Sequence, residues 1–141
     1  MTVTAQRQKM LTIPGLDQYC NIDANGTSIL PSGRWVRPAG NTIRITHDPF
    51  GLAISPDGKK AVTLHDGVFS IIDLATKNVI RVPSYDGKIV SPLSNGSFLG
   101  VAIGPDSKTL YLSGGDNGAV IVYDMERMQA IDSISLDGSL N

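Results

Sequence analysis

The chain has 141 residues, of which 41% are hydrophobic and 18% are charged, and its formal net charge is −1. This length suits one domain with a sizeable core, and the balanced charge excludes the basic face that nucleic-acid binding requires. The apolar runs are too short to span a bilayer, which takes roughly 20 residues, so no membrane span is expected. The single cysteine, Cys20, excludes an intrachain disulfide, and we interpret it as a partly buried structural thiol.

Glycine and proline, with fifteen and eight residues, are spaced along the whole chain, and no segment shows convincing helical periodicity. We therefore predict an all-β fold of short strands joined by turns. In the N-terminal part, Asn25-Gly26 suits a type I′ hairpin. Short strands are predicted at residues 28–30 and 35–36, on either side of a turn at residues 31–33. Residues 42–45 alternate polar and apolar side chains, which is typical of a half-buried strand.

The clearest feature is a repeat. Residues 49–60 and 99–109 share an apolar triplet that is followed by a Pro-Asp turn and a lysine. The strands predicted in the first copy are residues 52–54, 61–64, 68–73 and 79–82, and those in the second are residues 101–103, 110–113, 119–124 and 129–134. Short turns join these strands, so each copy should form a four-stranded antiparallel meander. We expect the apolar strand at residues 52–54 to be buried on both faces.

The spacing between the copies grows along the repeat. Ile54 and Ile103 are 49 residues apart, whereas Asp73 and Asp124 are 51 apart. The two extra residues belong to the glycine-rich segment 114–118, so the insertion is predicted to lie in a turn. Asp73 and Asp124 end their strands, and we expect each to accept hydrogen bonds from backbone N–H groups of the turn that follows.

The two copies resemble the blades of bacterial YncE-like, or YVTN-type, β-propellers. The repeats of that family carry a strand, a Pro-Asp-Gly-Lys turn, a Tyr-Val-Thr-Asn-like strand and a third strand ending in Asp. Here the Tyr-Val-Thr-Asn element is Val-Thr-Leu-His at residues 62–65 and Tyr-Leu-Ser-Gly at residues 111–114. The resemblance implies a lead-in with a partial blade at residues 1–46, one blade at residues 47–94 and another at residues 95–141. The lead-in also looks like that of bacterial proteins in which a propeller precedes a phosphatase-like domain.

The number of blades leaves two alternatives open. Two copies and a partial one give at most three blades, whereas closed propellers have roughly 4 to 8. Either the chain is the N-terminal part of a longer propeller, or several copies of it close a ring as a homo-oligomer.

Propeller connectivity predicts where a ligand would bind. The family's first strand lies at the central channel and the strands alternate in direction, so two sets of loops share one rim. In this chain the candidate ligand-binding residues at that rim are His47, Asp48, His65, Asp66, Asn95, Asp116 and Asn117. We expect a protein, peptide or small-molecule ligand there, because loops on a rigid scaffold carry function. We expect no cofactor and no metal, since the His-Asp dipeptides lack the spacing of known metal motifs.

Two functions follow from these observations. The first is a non-enzymatic propeller module that serves as a binding scaffold. The alternative is part of a propeller hydrolase, of the lactonase or phosphoesterase-associated kind, whose active site needs further blades or a further domain. The sequence favours the first, because it contains no recognisable pairing of a nucleophile with a base. Residues 1–9 lack the apolar core of a signal peptide, so the protein is cytoplasmic unless such a peptide has been removed, in which case it is periplasmic or secreted.

Overall fold

The computed structural model describes residues 12–23, 26–94, 96–97 and 99–135, and within them ten β-strands and one short 3₁₀-helix. Asn25, on which the hairpin prediction depends, lies outside the described residues, and so does the candidate site residue Asn95. The chain divides into two compact units, Met1–Arg44 and Ile45–Asn141. Within the described part of the chain, no helix has the length and apolar character needed to cross a membrane.

The first unit contains a small two-stranded sheet. Its strands, β1 (Ser28–Ile29) and β2 (Trp35–Val36), pair antiparallel around the turn predicted at residues 31–33. Two predictions for the N-terminal part were wrong. Residues 42–45 form no strand, because no segment among the described residues supplies the ladder that a strand requires. Cys20 is exposed, since this two-stranded sheet is too short to cover it.

The second unit consists of two four-stranded antiparallel sheets, one for each sequence repeat, with their strands in chain order. The first sheet contains β3 (Gly51–Ile54), β4 (Lys60–Leu64), β5 (Phe69–Asp73) and β6 (Val79–Val82). The second sheet contains β7 (Val101–Ile103), β8 (Thr109–Ser113), β9 (Ala119–Asp124) and β10 (Gln129–Ser135). Both predicted meanders are confirmed, and the inserted residues form a 3₁₀-helix at Gly115–Asn117 between β8 and β9.

The main core lies between the two sheets. The face of the first sheet that packs against the second sheet is called the front face of the first sheet, and its opposite face is called its back face. The second sheet packs against the first through its own back face. The front face contributes Val62, Leu64, Phe69 and Ile71, and the back face contributes Leu110, Leu112, Ile121 and Tyr123. The rings of Phe69 and Tyr123 are fully buried and meet edge to face, with centroids 5.0 Å apart. Burial, together with the neighbouring Asp124 carboxylate, raises the pKa of Tyr123 to about 12.

The innermost strand of the first sheet is more exposed than predicted. Leu52 is 66% exposed and Ile54 is 61% exposed, while Ala53 between them is half-buried. Leu52 and Ile54 lie on the back face of an edge strand, whereas the second sheet packs on the front face. The expectation of burial on both faces was therefore wrong.

Aspartate carboxylates hold the turns of both sheets. Asp106 accepts hydrogen bonds from the amides of Lys108 and Thr109 at 3.0 and 2.9 Å, and from the Thr109 hydroxyl at 2.6 Å. Asp73 accepts from the Thr76 amide at 2.7 Å, and Asp124 binds the two amides after Met125 in the same way. The predicted role of these strand-ending aspartates is confirmed.

A third turn of the repeat type, which the sequence reading missed, follows β6. The Ser84 hydroxyl donates to Asp86 Oδ1 at 2.6 Å and accepts from the Ile89 amide at 2.9 Å. Ser55 makes the same pair of contacts in the first repeat, at 2.6 Å to Asp57 and 2.8 Å from Lys60 N. The signal was a Ser-x-Asp-Gly-Lys sequence, present at residues 55–59 and again at residues 84–88.

Replacing Phe69 by alanine should lower the free energy of unfolding by about 3–5 kcal/mol, because it empties the centre of the contact between the sheets. Urea denaturation measures this loss. Ile134→Ala is the matched control, since its side chain is 49% exposed on β10, and it should cost less than about 1 kcal/mol. Equal losses in the two variants would contradict the assignment of the core.

The turn carboxylates should also make the stability of the folded protein depend on pH. Hydrogen bonds from the Thr109 hydroxyl and then the neighbouring amides lower the pKa of Asp106 to about 2, and the Lys88 ammonium, followed by the Ser84 hydroxyl, lowers that of Asp86 to about 2. A carboxylate whose pKa falls on folding stabilises the folded state above its unfolded pKa. That contribution is lost as the pH falls toward the folded value.

The melting temperature should therefore decrease between about pH 5 and pH 2. Asp106→Asn has no charge to lose, so its melting temperature should fall less than that of the wild type over the same interval. Thermal unfolding followed by circular dichroism measures both. Parallel curves for the two proteins would show that the Asp106 carboxylate makes no such contribution.

Candidate functional site

The predicted rim is one end of the two sheets in the second unit. The loop after β4 (residues 65–68) and the loop after β8 (residues 114–118) lie at this end, because β4 and β8 run in the same direction in equivalent sheets. The described residues of the segments that lead into β3 and β7, which are residues 47–50, 91–94 and 96–97, lie at the same end. We use the name rim for these four segments together.

His65 is buried at the rim, with 1% of its surface exposed. Its Nδ1 lies 2.6 Å from the carbonyl oxygen of His47, and its Nε2 lies 3.0 Å from Thr63 Oγ1. A carbonyl oxygen can only accept, so Nδ1 donates to it, while Nε2 and the Thr63 hydroxyl form the second hydrogen bond of the ring. Both ring nitrogens are engaged within the protein, and His65 thereby fastens the segment before β3 to strand β4.

His47 and Asp48 face solvent. Their side chains are 86% and 76% exposed, and His47 Nδ1 lies 3.1 Å from Asp48 Oδ2. The structure thus brings both histidines of the chain to the rim, but their side chains differ in burial and in contacts. The ring of His65 holds the backbone of His47, whereas the ring of His47 is accessible to a ligand.

Asp66 and Asp116 flank Gly96, just before the second sheet begins. Asp66 Oδ1 accepts a hydrogen bond from the Gly96 amide at 2.9 Å. A Cβ atom on Gly96 would lie 2.7 Å from Asp116 Oδ1, and its φ of 87° also favours glycine. The two carboxylates, which come from different sheets, therefore approach the same backbone position, and both residues are exposed. Asn117 lies in the 3₁₀-helix beside Asp116, and Asn95 is outside the described residues.

Three serines that the sequence reading passed over tie the rim together. Ser91 Oγ donates to the carbonyl oxygen of Gly67 at 2.9 Å, and Ser94 Oγ donates to that of Gly114 at 2.8 Å. Ser97 is fully buried and donates to the carbonyl oxygen of Ser94 at 3.2 Å. Ser91 and Ser94 therefore bond the segment between the sheets to a loop of each sheet. Serines spaced three residues apart between two strands were the available signal, since serine readily bonds nearby backbone.

The two ends of the sheets differ in charge. At the rim, Asp48, Asp66 and Asp116 are exposed carboxylates. At the opposite end, the turns pair acids with cations: Lys108 Nζ lies 3.0 Å from Glu126 Oε1, and Arg127 Nε lies 3.6 Å from Asp124 Oδ2. Among the residues that the structure describes, no three His, Cys, Asp or Glu side chains are grouped so as to hold a metal ion.

Comparison with solved structures identifies the fold class. The chain resembles the hydrazine synthase of Kuenenia stuttgartiensis with a TM-score of 0.51 and 25% identity, over 68% of this chain and 27% of that chain. It resembles the Dos1 propeller with a TM-score of 0.54 and 12% identity, over 81% of this chain and 28% of that chain. The two four-stranded sheets are therefore β-propeller blades, and the chain spans little more than a quarter of either solved chain. No protein-family model and no curated protein matches the sequence.

His65→Ala should lower the free energy of unfolding by about 1–3 kcal/mol, because it leaves the His47 carbonyl and the Thr63 hydroxyl without their partner. His65→Asn should recover part of the loss, since the asparagine amide can donate from nearly the position of Nδ1. His47→Ala, at an exposed side chain, is the control and should change stability by less than about 0.5 kcal/mol. Urea denaturation separates these cases, and a neutral His65→Ala would contradict the structural role.

Proposed function

We propose that this chain is a non-enzymatic β-propeller module of the YncE-like type that binds a protein, peptide or small molecule through the rim. The ligand that suits the rim best carries ammonium or guanidinium groups. One observation carries the proposal: hydrogen bonds fix the rim loops of both blades to one another, while the carboxylates of Asp48, Asp66 and Asp116 remain exposed.

The fixed loops favour binding because little conformational entropy is left to lose. Ser91 bonds to the loop of the first blade at Gly67, and Ser94 bonds to the loop of the second blade at Gly114. His65 fixes the backbone at His47 in the same way. A ligand that meets such a surface does not have to order it first, and this preorganisation improves affinity.

The exposed carboxylates favour a cationic partner. An ionised carboxylate offers about four acceptor positions, and Asp66 uses one of them for the Gly96 amide. Its remaining positions, together with those of Asp48 and Asp116, can accept hydrogen bonds from a ligand. Arginine and lysine side chains supply charge-assisted donors of this kind, and arginine can bind a carboxylate through two of them.

The contacts of His65 support a binding role over a catalytic one for this residue. A general base needs a free ring nitrogen within reach of the substrate. Both nitrogens of His65 are engaged inside the protein, so neither is free for that role. Assignment to the YncE-like type is supported by the repeated Pro-Asp turn and by the aspartate that ends the third strand of each blade.

Fluorescence anisotropy with a labelled hexa-arginine peptide tests the proposal, with hexaglutamate as the peptide of opposite charge. We expect hexa-arginine to bind, hexaglutamate not to bind, and the affinity to fall as salt is raised. Asp66→Asn and Asp116→Asn should each weaken binding about 2- to 5-fold, as expected for exposed ion pairs.

Glu126→Gln is the matched control, because it removes the same charge at the opposite end of the second blade, where Glu126 pairs with Lys108. It should leave hexa-arginine binding unchanged. Absence of binding to hexa-arginine, or equal losses for Glu126→Gln and the rim variants, would overturn the assignment of the rim to a cationic ligand.

A further inference from the structure

We infer that a cleft at the outer margin of the contact between the two blades binds a small organic acid, that is, a carboxylate joined to an apolar body. The cleft has a volume of about 460 Å³ and lies between two segments of the second unit. Residues from the segment 88–92, which follows the first blade, form one wall, and residues 127–130, at the start of β10, form the other. This cleft is a second site, and it does not depend on the rim.

The register of the second sheet locates the cleft. Ala130, one of its lining residues, lies opposite Tyr123 in the ladder between β9 and β10, so both residues are on the back face of the second blade. Tyr123 is fully buried in the core, whereas Ala130 is exposed on the outermost strand. The cleft therefore begins where the contact between the blades ends, and solvent can reach it.

Both walls of the cleft are fixed to the blades. In the first wall, Ile89 packs against the core, and Ser91 Oγ donates at 2.9 Å to a carbonyl oxygen of the loop after β4. In the second wall, Met128 packs against the same core, and the Arg127 amide donates to Asp124 Oδ1 at 2.9 Å. A ligand does not have to order these walls before it binds, which favours affinity.

The charged side chains that line the cleft are cations, Lys88 on one wall and Arg127 on the other, and none of the described lining residues is an acid. Lys88 Nζ lies 2.8 Å from Asp86 Oδ2, and this contact leaves its other N–H groups available to a ligand. Arg127 Nε lies 3.6 Å from Asp124 Oδ2, beyond hydrogen-bonding distance. Within the described part of the chain, the Arg127 guanidinium has no hydrogen-bond partner. Both walls can therefore donate charge-assisted hydrogen bonds to an anion.

The apolar part of the lining selects an anion that carries an apolar body. Four of the lining residues are apolar: Val90, Pro92, Met128 and Ala130. Val90 is 74% exposed, so a ligand that covers it removes apolar surface from water. The volume of about 460 Å³ falls within the range of small-molecule sites, which is roughly 300 to 1,000 Å³.

The acids beside the two cations select a single negative charge. Asp86 lies next to Lys88, and Asp124 lies next to Arg127. Their carboxylates repel an anion in the cleft, and this repulsion grows with the charge of the ligand. A carboxylate with one charge therefore suits the cleft better than a phosphate with two, and guanidinium groups bind carboxylates through two parallel donors.

Nuclear magnetic resonance titration with phenylpropionate tests the inference, because the shifts of backbone amides show where on the chain a ligand binds. The wild type should bind with a dissociation constant on the order of 1 mM, as expected of a ligand with about ten non-hydrogen atoms. The largest shifts should fall in the two wall segments. Propionate lacks the apolar body and phenylpropylamine carries the opposite charge, so each should bind the cleft about 10-fold more weakly or less tightly still.

Arg127→Gln removes the unpaired guanidinium and should weaken phenylpropionate binding about 5- to 10-fold. Val90→Ser removes part of the apolar lining and should weaken it about 2- to 5-fold. Lys59→Gln is the matched control for charge, because it removes a cation in the turn after β3, outside the cleft, and it should leave the affinity unchanged. All three side chains are exposed, and circular dichroism establishes that the variants fold.

The inference is wrong if phenylpropionate leaves the amides of the wall segments unshifted, or shifts amides elsewhere on the chain instead. Propionate that binds as tightly as phenylpropionate would show that the apolar lining contributes nothing. Equal losses for Lys59→Gln and Arg127→Gln would show a general effect of charge and would exclude a site at the cleft.

Discussion

The edge-to-face contact of Phe69 and Tyr123 is the centre on which the rest of the second unit depends. Each ring comes from a different blade, and both are fully buried at a centroid distance of 5.0 Å. A four-stranded meander has two faces and cannot bury either by itself, so a blade is stable only against a neighbour. The strands, turns and rim of this chain are therefore positioned by a contact between sheets and not within one.

The packing of the two blades also fixes the position of the rim. Once the blades are packed, the segment between them has to cross from the outer strand of one to the inner strand of the next. Serines along the crossing satisfy backbone carbonyls on both sides, and Gly96 fits between two carboxylates where a larger residue would clash. The polar surface is thus a consequence of how two apolar faces are joined.

Local features were predictable from the sequence, because they depend on neighbouring residues. Alternating apolar residues and Pro-Asp turns located the eight blade strands to within one residue of their observed bounds. The strand-ending Asp73 was likewise interpretable, since its partners lie two and three residues away. The turn at Ser84 was equally local, but it was overlooked because tyrosine stands where the repeats have proline.

Features that depend on distant residues were not predictable from a single sequence. The burial of His65 depends on a carbonyl 18 residues away, and the contact of Asp66 with Gly96 spans 30 residues. The exposure of Leu52 reflects which face the second blade covers, and the apolar pattern of β3 is the same whether that face is covered or not. The sequence predicted that the candidate residues lie at one rim. The structure shows which of them bond the backbone of the rim, as His65 does, and which face solvent, as His47 and Asp48 do.

The front-to-back packing of the blades has an evolutionary consequence. The front face of the first blade packs on the back face of the second. A duplicated gene segment can therefore add a blade by repeating this contact, without requiring a new interface. Between the two copies here, length varies where the chain turns, at Gly115–Asn117, and the strands keep their spacing. Insertions at the rim can therefore diversify what a blade contacts, while the packing that holds the blades together is inherited unchanged.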